Sequence, residues 1–244
     1  QPFYNDEGKR LDVTTPTTYY YPGSPMGQTI AIRRKVLGDQ KGRYGIVGLG
    51  SGSSACHKQE GETWRFFEID PLVIKIAKNP KNFTFIQKCQ PDIDIVVGDA
   101  RLTMAKEKDE SFDLFIIDAF TSDAIPMHML TTEAVKMYLA KLKPDGVVLL
   151  HTSNRYLDLD SVLSAIQKEL PPGTAGIVAS DRSADGSYSQ SSSTVVIFTK
   201  NEKVLEAYRK QPGVIELNDH GLRSWTDDYS VLLGPFMIRF RGQG

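Results

Sequence analysis

The sequence has few of the features that mark a disulfide-rich, membrane-spanning or nucleic-acid-binding protein. Its 244 residues include two cysteines, Cys56 and Cys89, which are too few for a disulfide framework and lack C-x-x-C spacing. No apolar run approaches the roughly 18 residues of a membrane-spanning helix, and no signal-peptide pattern is present. The net charge of −1 gives no indication of a surface for nucleic acid or anionic membranes. These absences favour a cytoplasmic protein without a nucleic-acid partner.

Histidine and serine patterns argue against two further classes of protein. Paired spacing and neighbouring cysteines are both missing around the four histidines, so no metal site is expected at His57, His128, His151 or His220. The segment Gly50-Ser51-Gly52 lacks the G-x-S-x-G spacing of a serine hydrolase. His151 follows a predicted strand on the side where ligands bind. A substrate contact and a hydrogen-bonded structural histidine are both open interpretations of that position.

The most informative stretch is YGIVGLGSGSSACHKQEGETWRFFEID, residues 44–70. A short apolar strand leads into a glycine-dense turn with Gly48, Gly50 and Gly52, and small residues then open a helix. A second strand ends at Glu68, which lies 20 residues after Gly48. This order is typical of a βαβ nucleotide-binding unit, in which glycines let the backbone approach the ligand and the acid binds ribose hydroxyls.

The spacing within the turn narrows the kind of nucleotide. A dinucleotide fingerprint needs a third glycine where Ser53 stands, and a phosphate loop needs a lysine after Gly52. The G-x-G-x-G pattern that remains is the form common where S-adenosylmethionine or a relative binds. A glycine turn that serves only the close packing of a helix on a strand is the alternative interpretation.

Strands and helices alternate along the chain, which predicts an α/β fold with a doubly wound, mostly parallel, Rossmann-like sheet. Residues 1–40 are predicted to form an N-terminal arm and a short leading element, and residues 41–244 a single nucleoside-binding catalytic domain. In the leading element, Ser24 is the predicted N-cap of a helix that Gly38 ends, and a short strand at 29–32 is the competing prediction. Another short strand is predicted at 83–86.

Acidic side chains follow three strands of the predicted sheet. Glu68 ends one strand, Asp99 follows the next, and Asp118 follows the most apolar strand of the chain, residues 112–117. Ligands of open α/β sheets bind outside the carboxyl ends of the strands. We therefore expect these carboxylates and the glycine turn to line one crevice.

Several segments together resemble a known family, the spermidine synthases or polyamine aminopropyltransferases. The resemblance rests on the glycine turn at 48–52, GDARL at 98–102, DAFTSDAIPMHMLTTEA at 118–134 and HTSNRYLDL at 151–159. It implies the class I S-adenosylmethionine methyltransferase fold. The sequence is most similar to a bacterial group that is often fused behind membrane segments, so an upstream membrane segment is an expectation. A homodimer is a further one.

The resemblance implies a role for each residue that matches a family motif. The co-substrate would be S-adenosylmethionine or decarboxylated S-adenosylmethionine, with its methionine-derived part cradled by Gly48, Gly50 and Gly52. Glu68 would hold the ribose hydroxyls. Asp99 would accept from the adenine amino group, and Ala100 would lie beside the ring. The remaining match is Gln28, which corresponds to a glutamine near the synthase entrance.

The same resemblance implies that Asp118 and Asp123 are the catalytic acids, acting on a small-molecule amine. A carboxylate can take the proton of the amine and orient its lone pair for an in-line displacement. The alternative for Asp118 is a helix cap. The two acids stand five residues apart, whereas the synthases place theirs three apart. A methyltransferase and a non-catalytic nucleoside-binding domain are therefore the alternative functions.

Overall fold

A computed structural model describes residue 8 and residues 14–38, 40–119, 126–181 and 190–241 of the chain. The predicted catalytic residue Asp123 lies outside these residues. Within them the central element is one sheet of eight strands in the order β3-β2-β1-β4-β5-β7-β6-β8. The strands are Arg43–Val47 (β1), Thr63–Glu68 (β2), Asp94–Val97 (β3), Phe112–Ile117 (β4), Leu142–His151 (β5), Ala175–Ser180 (β6), Thr194–Thr199 (β7) and Val214–Glu216 (β8).

Strands β1 to β5 pair in parallel, and β6, β7 and β8 complete the sheet with antiparallel pairings. The predicted doubly wound, mostly parallel sheet is therefore confirmed. The strand order reverses between β1 and β4, because the chain continues from β1 to β2 on one side and from β4 to β5 on the other. The carboxyl ends of β1 and β4 lie next to each other at the same edge of the sheet. This reversal is the topological switch point at which α/β sheets bind ligands.

Eight α-helices flank the sheet in the described part of the chain. They are Pro25–Leu37 (α1), Pro71–Lys78 (α2), Phe85–Cys89 (α3), Ala100–Ala105 (α4), Thr132–Lys141 (α5), Leu159–Gln167 (α6), Glu202–Arg209 (α7) and Leu233–Arg241 (α8). None of the helices among these residues is long and apolar enough to cross a membrane.

The leading element is a helix, as its capping residues predict. Ser24 accepts a hydrogen bond from Gly27 N at 3.0 Å, and Gly38 ends α1 with a φ of 62°. The competing strand at 29–32 is wrong, because those residues lie inside α1 with Thr29 and Ile30 buried. The strand predicted at 83–86 is also wrong. A run of apolar residues too short to show periodicity supported it, and the chain forms α3 there.

Two apolar clusters cover the two faces of the sheet. One joins the sheet to α1 and α7, and the other joins it to α5 and α6. All six residues of β4 are buried, which explains why this strand is the most apolar of the chain. Met26 and Ile30 of α1 belong to the first cluster. The leading element is therefore part of the same core as the sheet.

The two cysteines form a disulfide, with their Cα atoms 4.9 Å apart. It joins a short 3-10 helix at Ser53–His57, directly after the glycine turn, to α3. The spacing of the two cysteines did not predict this disulfide, because they are separated by 33 positions. Disulfides are typical of oxidising compartments. The cysteines therefore do not support the cytoplasmic location expected from composition.

Candidate functional site

The switch point between β1 and β4 opens into a cavity of about 330 Å³, which we call the glycine-loop cavity. Its walls come from the turn after β1, from the ends of β2 and β4, from the start of α4 and from the N-terminal arm. The lining residues that carry the argument below are Tyr19, Gly48, Gly50, Glu68, Asp99, Ala100 and Asp118. The expected meeting of glycine turn and strand-end carboxylates is thus what the fold produces.

Two glycines of the turn are required by close packing. Gly48 has a φ of +91°, and a Cβ there would lie 2.2 Å from the backbone carbonyl oxygen of Asp118. Gly52 has a φ of +81°, and its Cβ would lie 2.6 Å from Cγ1 of Ile86 on α3. Gly52 packs the loop against that helix rather than lining the cavity. Gly50 has open space around its Cα and lines the cavity.

Glu68 braces the glycine turn from the end of β2. Its side chain is 8% exposed. Its Oε2 accepts a hydrogen bond from Leu49 N at 2.9 Å, and its Oε1 accepts from Asp70 N, also at 2.9 Å. A carboxylate has about four acceptor positions, so both oxygens can accept further hydrogen bonds from a ligand. Glu68 therefore shapes the loop and still presents acceptors to the cavity.

Asp99 and Ala100 lie beside Glu68, where β3, the neighbour of β2, leads into α4. Asp99 is the N-cap of α4, because its Oδ1 accepts from Leu102 N at 3.1 Å. Its Oδ2 lies 3.3 Å from Nε2 of His128. Both residues line the cavity, as does His128. His128 was not predicted as a residue of this cavity, and it lies in the segment that follows β4.

Asp118 is as buried as Glu68, at 8% exposure. Its Oδ2 accepts from the hydroxyl of Tyr20 at 2.8 Å, and its Oδ1 lies 2.7 Å from Nδ1 of His151. The other ring nitrogen, Nε2 of His151, lies 2.8 Å from Oγ of Ser153. A hydrogen-bonded chain thus runs from Tyr20 through Asp118 and His151 to Ser153.

The N-terminal arm closes this side of the site. Thr17 N donates to Oγ of Ser53 at 2.9 Å, and the Tyr21 hydroxyl donates to Asp181 Oδ2 at 2.6 Å. Tyr19 lies between these anchors with its ring 4.9 Å from that of His151. Burial raises the pKa of the Tyr19 hydroxyl well above its usual value, and the charge of Asp118 adds to the effect. Tyr19 therefore remains a hydrogen-bond donor.

Sequence reasoning missed Tyr19 and Tyr20 as site residues. Tyr20 is 98 positions from Asp118, so only the fold brings the two together. The run of three tyrosines at 19–21, between a polar arm and a capped helix, is the signal that could have singled them out. His151 has contacts that fit both open interpretations, because it is hydrogen-bonded and also lines a cavity.

That cavity is a second one, of about 520 Å³, which we call the β5 cavity. It lies beyond the end of β5, and Tyr19 is the one described residue that lines both cavities. The residues in its wall that can carry a charge are His151, Arg155, Asp158, Asp160, Asp181 and Arg239, and its other polar side chains include Ser153. Burial raises the pKa of Asp160 to about 6, and the hydroxyl of Thr152 donates to its Oδ1 at 2.6 Å.

Gln28, like Gly52, is a predicted cofactor residue that lines neither cavity. Its amide donates to the carbonyl oxygen of Gly23 at 2.9 Å within the turn that begins α1. The described residues contain no group of three or more His, Cys, Asp or Glu side chains arranged to hold a metal ion. The function must therefore be argued from the two cavities and the carboxylates around Asp118.

Sequence comparison finds a similar curated protein, a polyamine aminopropyltransferase of Vibrio vulnificus (strain CMCP6). It is 34% identical over 114 residues, which are 44% of this chain and 36% of that protein. The matched stretch thus spans little more than a third of the length of this relative. No protein-family model matches the chain.

Structural comparison finds spermidine synthases and methyltransferases. A probable spermidine synthase from Corynebacterium glutamicum ATCC 13032 has a TM-score of 0.59 at 16% identity, covering 84% of this chain and 80% of its own. A spermidine synthase in complex with the transition state analogue AdoDATO has a TM-score of 0.55 at 19% identity, covering 86% and 71%. Human methyltransferase-like protein 13, in complex with SAH, has a TM-score of 0.52 at 18% identity, covering 84% and 94%. The chain therefore has the class I methyltransferase fold that these spermidine synthases and this methyltransferase share.

Proposed function

We propose that this protein is a transferase that moves an aminopropyl or related alkyl group from decarboxylated S-adenosylmethionine to an amine. The observation that carries the proposal is the charge of the glycine-loop cavity. Its described lining contains the acids Glu68, Asp70, Asp99 and Asp118, and no lysine or arginine. Decarboxylated S-adenosylmethionine ends in an ammonium group, whereas S-adenosylmethionine also carries a carboxylate. Carboxylates favour the more cationic donor.

The donor fits the cavity by its chemistry. Glu68 accepts from the ribose hydroxyls, since both of its oxygens keep acceptor positions beside their backbone hydrogen bonds. Asp99 accepts from the adenine amino group across the cavity, next to Ala100. The sulfonium tail then extends over Gly48 and Gly50 towards Asp118. The similarity to an aminopropyltransferase and to structures that hold AdoDATO and SAH supports a nucleoside of this class.

Asp118 acts as the general base in this proposal. The acceptor amine is protonated at neutral pH and has no lone pair until it gives up a proton. Asp118 takes that proton while the nitrogen forms a bond to the carbon next to sulfur. The carbon–sulfur bond breaks, its electron pair stays on sulfur, and methylthioadenosine leaves. Tyr20 and His151 hold both oxygens of the carboxylate, so Asp118 is oriented before the amine arrives.

The donor is tested by incubating the purified protein with each of the two sulfonium nucleosides and a panel of small amines. Methylthioadenosine should form with the decarboxylated donor and depend on the amine. Mass spectrometry distinguishes it from S-adenosylhomocysteine. S-adenosylhomocysteine as the sole nucleoside product would identify a methyltransferase instead, and nucleoside binding without any product would indicate a non-catalytic domain.

The base is tested with Asp118→Asn, which keeps the shape of the side chain and removes its basicity. Turnover should fall by about 10²–10⁴-fold, the usual contribution of a general base. Methylthioadenosine binding should be retained, because the nucleoside contacts lie elsewhere. The matched control is Asp145→Asn, an exposed acid whose Oδ1 accepts from Asn201 at 3.0 Å, far from both cavities. Equal turnover in the two variants would remove Asp118 from the mechanism.

A further inference from the structure

The β5 cavity has no part in binding the donor as described above. We propose that it binds the acceptor, and that this acceptor carries a carboxylate as well as the reacting amine. The inference rests on the proposed transfer to an amine and specifies the class of substrate, an amino acid rather than a diamine. Three observations carry it: where the cavity lies, which of its acids are already engaged, and which of its cations are not.

The position of the cavity fits an acceptor. Tyr19 lines both cavities, so a ligand in the β5 cavity is separated from the donor by one side chain of the arm. His151 lies in the wall of the β5 cavity and contacts Asp118, which lines the glycine-loop cavity. An amine that leaves the β5 cavity past Tyr19 therefore meets the base and the donor carbon. The rest of the acceptor remains in the larger space.

The acids of the β5 cavity are largely engaged by the protein itself. Asp181 uses both oxygens, since Oδ1 accepts from Ser193 N at 2.7 Å and Oδ2 from the Tyr21 hydroxyl. Asp158 caps α6 by accepting from Ser161 N at 2.9 Å. Asp160 accepts from a hydroxyl and keeps its proton more readily than an exposed acid, because burial raises its pKa. Each of these carboxylates already accepts a hydrogen bond from the protein, so a second ammonium group would compete for the acceptor positions that remain.

The two arginines of the cavity, unlike its acids, have no hydrogen-bond partner among the described residues. Arg155 lies over the ring of Tyr156 at 5.8 Å, and Arg239 lies close enough to Asp160 to lower its pKa. Neither guanidinium forms a hydrogen bond or a salt bridge with a described residue, although both line the cavity. A guanidinium is a fork of donors that matches a carboxylate. Among the residues that the structure describes, the two guanidiniums therefore keep their hydrogen-bond donors for a ligand.

This arrangement discriminates between two acceptors of similar length. A diamine would place its second ammonium group near Arg155 and Arg239, where like charges repel. An amino acid would place a carboxylate there and keep its amine for Asp118. The glycine-loop cavity has no lysine or arginine in its described lining, so the cations of the site are concentrated in the β5 cavity.

The test measures binding without turnover, using two matched probes and the protein saturated with methylthioadenosine. The probes are 4-aminobutanoate and 1,4-diaminobutane, which have the same number of carbons and differ in one terminal group. Isothermal titration calorimetry should give 4-aminobutanoate about fivefold the affinity of the diamine, the upper end of what an ion pair in a partly exposed site contributes. A diamine that binds as tightly or more tightly, or failure of both probes to bind, would overturn the proposal.

Variants then locate the carboxylate. Arg239→Gln and Arg155→Gln should each weaken 4-aminobutanoate binding severalfold and leave butylamine, the probe without a carboxylate, unaffected. Arg223→Gln is the matched control, since Arg223 stacks on Tyr229 at 3.9 Å and lines neither cavity. Unchanged 4-aminobutanoate affinity in both cavity variants would contradict the assignment of the carboxylate to these two arginines.

The binding result is separable from the reaction. If 4-aminobutanoate binds in an arginine-dependent manner but no methylthioadenosine forms, the β5 cavity is a carboxylate site and the proposed transfer is wrong. If methylthioadenosine forms with a diamine and the arginine variants behave like the wild type, the transfer stands and the inference about the acceptor is wrong.

Discussion

The two cavities of this protein are built in different ways. The glycine-loop cavity is formed by short connections at the carboxyl ends of neighbouring parallel strands, and its shape depends on backbone positions such as Gly48. The β5 cavity is formed by side chains from the arm, the end of β5, the start of α6, the start of β7 and α8. The described lining of the first contains acids but no lysine or arginine, whereas that of the second contains both arginines and acids.

The difference distinguishes a cavity that the topology of the sheet creates from a cavity that side chains create. A cavity at a topological switch point exists because the sheet has that topology, so many proteins of this fold share it. A cavity made of side chains from distant segments can change its charge without a change in the sheet. In the proposed function the donor binds in the first cavity, and the inferred acceptor binds in the second. The predictions below separate the two.

The largest effect is expected from the backbone of the glycine loop. Gly48→Ala places a Cβ 2.2 Å from the Asp118 carbonyl oxygen at a φ of +91°. The positive φ and the clash together should lower the free energy of unfolding by about 4 kcal/mol. Urea denaturation measures it. Methylthioadenosine binding should also weaken, because the loop and Asp118 are displaced together.

Gly50→Ala is the matched control for this variant. Gly50 also has a positive φ, +52°, but an added Cβ there meets nothing within 4 Å. Its cost should be limited to the backbone conformation, about 1 kcal/mol. Equal destabilisation by the two substitutions would contradict the close approach of Gly48 to Asp118.

An intermediate effect is expected from the disulfide that joins the 3-10 helix after the glycine turn to α3. Replacing Cys56 and Cys89 by serine opens a loop of 33 positions, which should cost about 3 kcal/mol of stability. The loss should be accompanied by weaker methylthioadenosine binding, since Gly52 packs on Ile86 of the same helix.

Binding of 4-aminobutanoate to the β5 cavity serves as the internal comparison for the disulfide variant. Neither cysteine lines that cavity, so its affinity for this probe should be maintained wherever the protein is folded. Parallel loss of both affinities would mean that the disulfide supports the whole molecule rather than the donor side.

The donor side of the site could be predicted from sequence because its residues follow strands directly. The periodicity of apolar residues places the strands, and the strand ends place Gly48, Glu68, Asp99 and Asp118 at one edge of the sheet. No long-range information is needed once the sheet is known to be parallel. The spacing from Gly48 to Glu68 predicted the parallel pair of β1 and β2, although the connection between them is a short 3-10 helix rather than the α-helix of a βαβ unit.

The tyrosine contacts of the site and the helical state of α3 could not be predicted, because they depend on contacts between distant segments. Tyr20 reaches Asp118 across 98 positions and Tyr21 reaches Asp181 across 160, and neither pairing leaves a periodic signal. The helix α3 was mistaken for a strand because five residues are too few to show a helical repeat. Tertiary packing decides such segments.

The smallest effect, and the finest distinction between the cavities, concerns pH. Burial raises the pKa of Asp160 to about 6, and the charge of Asp158 adds to the shift, while the Thr152 hydroxyl, Arg239 and His220 act against it. A raised pKa means that Asp160 keeps its proton below about pH 6 and becomes an anion as the pH rises through that value. The new charge repels a carboxylate, so 4-aminobutanoate binding should weaken roughly threefold between about pH 5 and about pH 7.

Two variants isolate the group responsible for this pH dependence. Asp160→Asn should remove it, because the amide does not titrate. His220→Gln should retain it, because Asp160 is unchanged in that variant. Methylthioadenosine binding in the glycine-loop cavity provides the comparison, since Asp160 is not in its lining. A pH profile of 4-aminobutanoate binding that is the same in Asp160→Asn and in the wild type would show that Asp160 does not face the bound carboxylate.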